Sequence, residues 1–365
     1  MSAEVRVSRP LWVRTTACGF AAVLFASAVI GGLGWYRQST LMSQAIDAEA
    51  SSDLNVLTTD MEAQQRTNLG LALALAGDPA VAAKLKAGDR EALLAPYADT
   101  LKNMTARSGI QLMTFADANG MVVGRVHEPA KFGDDMKGRR KTVETAIATG
   151  QPSAGVEPGK SAISIFGTVP VTADGAVVGV VDVGTQLTGE YFSRLAKDVD
   201  GNFAVYVLKE GKFERQASTY ANDPVLTPDE LQAGFNGTAP HRYAVVGDKD
   251  YLVSAVPLVN FSGAKIGVIE AASDVTALMQ SQRTALWLSL AAAICTAAIA
   301  LAGFYLFARS LGGVIRRMTM TMARLAAGDL NVEIEGQKRP DELGSMAQAV
   351  QVFKDGAVAQ RRLEA

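Results

Sequence analysis

Arg125, His127, Lys131, Arg139 and Arg140 crowd into one short stretch, with Phe132-Gly133 among them. Arg can hold a carboxylate through two parallel hydrogen bonds, so such a cluster suits a small anionic ligand. The competing reading is a solvated loop whose charges pair with Glu128, Asp134 and Asp135. Glu157 and Asp182 pull the other way. Asp182 sits in the apolar run VVGVVDVG, where a buried carboxylate needs a partner. A ligand amine would serve, and together with the cations that would suit an amino acid. An internal structural bond would serve equally, because Glu270 holds the same place in a second, similar run. The candidate ligand-binding residues are therefore Arg125, His127, Lys131, Arg139, Glu157 and Asp182.

Composition narrows the chemistry further. Two histidines and two cysteines leave little material for a His-dependent triad, a Cys/His metal cluster or a disulfide scaffold. Neither catalysis, nor a metal, nor a cofactor is expected. An apolar share of 48% and a charged share of 20% exclude a disordered chain. The net charge of −2 offers no basic excess for a nucleic-acid backbone.

The elements that must position these residues are readable in outline. Residues 38–76 read as a long helix, stopped by Gly77-Asp78-Pro79, and a second helix is expected at about 89–107. Residues 110–117 and 121–126 form a hairpin about Asn119-Gly120. Residues 139–149 read as a helix ending at Gly150, and strands follow at about 162–171 and 176–184. The pattern then repeats. Val169-Pro170, Gly175, Gly179-Val180, Asp182 and Thr188 align with Val256-Pro257, Gly263, Gly267-Val268, Glu270 and Thr276. A further strand pair at about 203–217 matches 110–126. Two similar antiparallel α/β modules in tandem are expected, membrane-distal at about 77–190 and membrane-proximal at about 191–273, sharing the long helix. Asp274 then starts a helix.

Residues 15–36 and 284–308 carry no charge, and each run is long enough to cross a bilayer core. Ala26-Ser27-Ala28 resembles a signal-cleavage site, but the apolar run continues to Tyr36, which favours an anchor. Arg6, Arg9 and Arg14 precede the first run, and Arg309, Arg316, Arg317 and Arg324 follow the second. Positive-inside bias puts both termini (1–14 and 309 onward) in the cytoplasm and residues 37–283 outside. Beyond the second run, Leu311, Ile315, Met318, Met322 and Leu325 recur at helical spacing up to Gly328-Asp329-Leu330. Pro340-Asp341-Glu342-Leu343-Gly344 starts another helix with the seam Leu343, Met346, Val350 and Phe353. Two short helices with narrow seams cannot bury themselves alone, so a parallel four-helix bundle in a homodimer is expected.

LAAGDL at 325–330 with DELG at 341–344 resembles a HAMP domain, here spanning 309–362, the signal relay of bacterial transmembrane receptors. The resemblance implies relay roles for Gly328, Asp329, Leu330, Asp341, Glu342, Leu343 and Gly344. Gly312-Gly313 stand where that family usually has an early Pro. The external segment, on FADANGMVVGRVHEPAKFGDDMKGRRKTVETAIATGQPSAGVEPG and TVPVTADGAVVGVVDVG, resembles the double Cache sensory domains of methyl-accepting chemotaxis proteins and sensor kinases. The implied fold is α+β: tandem Cache-like (PAS-like) antiparallel modules on a long helix, two transmembrane helices and a cytoplasmic HAMP bundle. The implied function is chemotaxis signalling, with a small carboxylate or amino acid sensed in the periplasm by an inner-membrane receptor and relayed to cytoplasmic partners. The alternative is the input half of a sensor histidine kinase or nucleotide cyclase. Residues 1–365 carry no phosphoacceptor-histidine helix, nucleotide-binding loop or long methylatable coiled coil, so an output module is expected beyond Ala365.

Overall fold

The computed structural model describes residues 11–199, 201–220, 225–238 and 241–363. Residues 42–280 form one compact unit, and the chain's two ends, up to Leu41 and from Ser281, form another. Helix α1 (Leu11–Ala76) is followed by α2 (Pro79–Ala87), α3 (Arg90–Leu94) and α4 (Ala98–Ser108). Next come β1 (Leu112–Asp117), β2 (Val122–Arg125), α5 (Lys141–Thr149), β3 (Ser153–Pro158), β4 (Ile163–Ala173) and β5 (Ala176–Gln186). The second module has α6 (Gly189–Val199), β6 (Gly201–Lys209), β7 (Lys212–Ser218), α7 (Pro228–Asn236), β8 (Arg242–Val246), β9 (Lys249–Val259) and β10 (Lys265–Asp274). Helices α8 (Thr276–Ala326) and α9 (Glu342–Leu363) complete the described chain.

The internal repeat is a repeat of topology. The sheets run β2-β1-β5-β4-β3 and β7-β6-β10-β9-β8, each antiparallel. Register agrees as well: Asp182 lies opposite Thr114 and Thr168, and Glu270 opposite Ala204 and Ala255. Gly179 and Gly267 recur for a steric reason. A Cβ there would stand 2.4 Å from the Ala116 carbonyl oxygen and 2.2 Å from that of Tyr206.

The helical stretch expected at 89–107 is broken into α3, a 3-10 turn at Ala95–Tyr97 containing Pro96, and α4. The turn residues that stop α1 also start α2: Asp78 accepts a hydrogen bond from the Ala80 N–H, with Pro79 at the first helical position. Asp274 is the last residue of β10 rather than the first of a helix, and its side chain accepts from the Thr276 N–H at 2.9 Å, capping α8.

Helix α1 serves both modules. Ala72 packs with Val81, Leu93, Phe115 and Val181, while Leu57 and Met61 pack with Ile165, Leu187, Phe192, Phe203 and Ile269. Ile46 and Ala50 meet Leu252 and Val275. The closest approach is at Gly167 of β4, where a Cβ would stand 2.3 Å from the Leu69 backbone nitrogen. Beside it, the buried Asn68 amide donates to the Ile165 carbonyl at 2.9 Å, and Gln64 donates to Thr185 at 2.9 Å.

In the other unit, the stretches 15–36 of α1 and 284–308 of α8 stand unburied, on helices long and apolar enough to cross a membrane. Arg6 and Arg9, which carry part of the orientation argument, lie outside the described residues. In the HAMP region Gly328 takes φ +91° and Asp329 pairs with Arg324 at 2.6 Å. Val332 and Ile334 of the connector are buried, Ile334 with Met318 and Ala347. Asp341 caps α9 by accepting from the Gly344 N–H, and a Cβ on Gly344 would stand 2.0 Å from the Arg339 carbonyl oxygen. Glu342 opens α9 and Leu343 is half-buried, as is Leu330. Of the expected seam, Met318 and Leu325 are buried within the chain, whereas Met322, Met346 and Phe353 are exposed.

Candidate functional site

A cavity of about 200 Å³ opens on the distal module, lined by Arg125, His127, Arg139, Arg140, Lys160 and Phe166 among others. Arg125 ends β2, His127 follows it, Arg139-Arg140 immediately precede α5, Lys160 lies between β3 and β4, and Phe166 is on β4. The fold therefore brings together three of the expected ligand-binding residues, Arg125, His127 and Arg139.

Their charges are already partly engaged. Arg125 is only 4% exposed and grips Asp134 with two hydrogen bonds of 2.7 and 2.8 Å. It also donates to the Lys131 carbonyl at 2.8 Å. Asp134 further reaches Arg139 at 3.2 Å and Lys160 at 3.8 Å. The Arg125 hydrogen bonds hold its carboxyl well below the ordinary range, at about 2. His127 places Nδ1 3.2 Å from the Met113 backbone, and burial lowers its pKa despite that contact.

The remaining expected residues stand elsewhere. The Lys131 side chain is exposed, pairs with Glu128 and does not line the cavity. Asp182 and Glu157 are buried behind the wall rather than in it. Asp182 Oδ1 accepts from Arg140 Nη2 and from the Thr168 hydroxyl, both at 2.6 Å. Glu157 accepts from the Thr142 N–H at 3.2 Å, and burial raises its pKa. Thus the internal bond weighed for Asp182 exists, and its partner is Arg140. That arginine is 2% exposed and its guanidinium stacks 3.3 Å from the Phe166 ring centre. Arg140, Lys160 and Phe166 are the lining residues missing from the sequence-derived set. Arg140 could have been found, as it adjoins Arg139 at a helix start. Lys160 and Phe166 carry no local signal.

The second module handles the matching carboxylate differently. Glu270 is fully buried and accepts from the Tyr206 hydroxyl at 2.9 Å, and burial raises its pKa. Its neighbourhood is packed with Leu226, Leu231, Tyr206 and Tyr251. Helix α7 lies so close to β9 that a Cβ on Gly234 would stand 2.6 Å from the Ala255 side chain. The cationic loop of the first module has no counterpart in this packing.

Residues 43–279 match the family model dCache_3, described as the double sensory domain of two-component sensor kinase, and residues 306–358 match the HAMP domain. The probable chemoreceptor y4sI of Sinorhizobium fredii is 47% identical over 64 residues, 18% of this chain. The chain spans only 8% of the length of that curated relative. Among solved structures, the sensor domain of the V. cholerae histidine kinase DctB is 12% identical, with 65% of this chain and 98% of that one covered and a TM-score of 0.41. The ligand-binding domain of the Campylobacter jejuni chemoreceptor Tlp3, solved in complex with 4-methylisoleucine, is 14% identical, with 66% and 93% covered and a TM-score of 0.42. The fold assignment rests on the family match and on the two sheets, and on that basis the chain belongs to the dCache_3 family of double sensory domains, with a HAMP domain behind it.

Proposed function

We propose that this chain is the sensing and relay part of a chemoreceptor of the bacterial inner membrane, without catalytic activity of its own. Residues 15–36 and 284–308 cross the membrane, residues 37–283 are periplasmic and both termini are cytoplasmic. The observation that carries this reading is the cation-lined cavity on the distal sheet, whose equivalent in the proximal module is packed solid. A small molecule with a carboxylate binds there among Arg125, His127, Arg139 and Arg140. Its differential affinity for two states of the sensor shifts their balance. Strand β10 passes into α8 within two residues, so a change in the proximal sheet reaches the helix that enters HAMP. HAMP acts as a homodimer, through Gly328-Asp329-Leu330 and Asp341-Glu342-Leu343-Gly344, on a cytoplasmic output.

A second reading, the input half of a sensor histidine kinase, is favoured by the matching family's own description; a nucleotide cyclase input would use the same parts. The test is a pair of hybrids in a strain lacking its own receptors. Residues 1–365 are joined either to a chemoreceptor signalling domain or to a histidine-kinase core, with Cys18 and Cys295 replaced by Ser. Single cysteines at the exposed Asn236 and Ser345 report orientation with a membrane-impermeant thiol reagent. Labelling at Asn236 alone, and ligand-dependent swimming bias only in the first hybrid, is the expected result. Labelling at Ser345 refutes the topology, and a response only in the kinase hybrid favours the second reading.

A further inference from the structure

The cavity holds more positive charge than the chain itself neutralises. Arg125, Arg139 and Lys160 all turn to Asp134, at 2.7, 3.2 and 3.8 Å. Three cations therefore share one carboxylate, which leaves two positive charges over. The other charges at the site are matched elsewhere: Arg140 by Asp182 behind it, and Glu128 by Lys131. Glu157 lies behind the Arg140–Phe166 stack, outside the lining. Arg140 Nε is buried without a hydrogen-bond partner, although this residue lines the cavity. Buried donors of this kind cost stability until an acceptor meets them.

Resting on the reading of this cavity as the sensor's ligand site, we infer that it takes a small organic dianion, a dicarboxylate or a phosphate monoester, in preference to a zwitterionic amino acid. Two negative charges on the ligand balance the two left over, and Arg and Lys donors supply charge-assisted hydrogen bonds to both acceptor groups. The cavity holds roughly seven waters' share of liquid volume, which suits a ligand of about ten non-hydrogen atoms or fewer. An ammonium group finds no acceptor of its own. Asp182 and Glu157 stand behind the wall, and Glu128 is taken by Lys131. Inside the cavity the ammonium would lose water and face cations, a cost that disfavours the zwitterion.

The full chain in lipid nanodiscs is titrated calorimetrically at neutral pH with four probes. Succinate and glycerol 3-phosphate carry two charges on different chemistries, butyrate carries one, and L-valine is a zwitterion. At least one dianion should bind about tenfold or more tightly than butyrate and L-valine. Which one binds separates dicarboxylate from phosphate chemistry. Arg139→Ala should weaken that binding by about tenfold, and Lys160→Ala, at an exposed side chain, by a smaller factor. The comparison among probes on the unaltered chain needs no variant to fold. Failure of both dianions to bind at millimolar concentration overturns the inference, as does equal or tighter binding of butyrate or L-valine. If such a monoanion or zwitterion is itself weakened by Arg139→Ala, the cavity remains the ligand site and only the dianion inference falls. Dianion binding indifferent to both substitutions removes the cavity as the site and the inference with it.

Discussion

Replacing Asp182 by Ala tests whether the wall of the cavity is held by charge. Asp182 and Arg140 are 1% and 2% exposed, and their 2.6 Å contact crosses 42 residues of sequence. Removing the carboxylate leaves a guanidinium buried without its counter-charge, which costs about 3–5 kcal/mol. The Thr168 hydroxyl loses its acceptor at the same time, placing the expected cost at the upper end of that range. Against a total stability of about 5–15 kcal/mol, this is a large fraction. For a sensory region of this size, a loss of that magnitude lowers the melting temperature by roughly 6–20 °C. Thermal unfolding of the full chain in detergent, followed by circular dichroism, reads the shift. Asp174→Ala, which breaks only the exposed pair with Lys86, is the control and should leave melting unchanged. The double replacement Arg140→Met with Asp182→Leu removes both charges and should recover most of the loss. A melting point for Asp182→Ala within about 2 °C of the parent refutes the argument, and so does a double variant no better than the single one.

Gly167→Ala should destabilise the chain by about 1–3 kcal/mol, because its Cβ meets the backbone of α1, which cannot turn aside. By contrast Gly70→Ala, on α1 with open space around it, should stabilise by about 0.5–1 kcal/mol; urea midpoints of the two variants decide. The His127 imidazole should titrate by NMR below its ordinary value of 6.5, since burial disfavours the charged ring. Its folded-state value being depressed, the unfolded chain takes up that proton first, so its contribution to stability is full above 6.5 and is lost as pH falls through the folded value; unfolding midpoints from pH 7 to 5, with and without His127→Gln, check the sign. Cysteine at Phe353, an exposed seam position of α9, should cross-link to its twin under mild oxidation in membranes, and a chain that stays monomeric there refutes the paired bundle.

Features written in neighbouring residues are legible in the amino-acid sequence by itself. The two uncharged runs declare themselves by length, and the Asn119-Gly120 hairpin by its turn residues. The tandem repeat is visible because Gly179 and Gly267 are each required by a carbonyl of the adjacent strand, so the same sterics impose the same residue twice. The LAAGDL and DELG motifs follow from local geometry in the same way: Gly328 turns the chain at positive φ, and Gly344 lies against the Arg339 carbonyl. The break of the expected 89–107 helix at Pro96 is also local, but a helical pattern on either side obscures it. What belongs to the site itself is only partly local. The clustering of Arg125, His127 and Arg139 is a fact of sequence, whereas the tertiary fold decided what each one faces. It spent Arg125 on Asp134, turned Lys131 outward, and put Arg140 and Phe166 between the cavity and the carboxylates of Asp182 and Glu157. It also packed α7 onto β9 where the first module keeps a cavity. Residue type and spacing determine which charges are available. Which of them are neutralised depends on contacts a few ångströms long between strands and loops far apart in the chain, and those exist only once the sheets have formed.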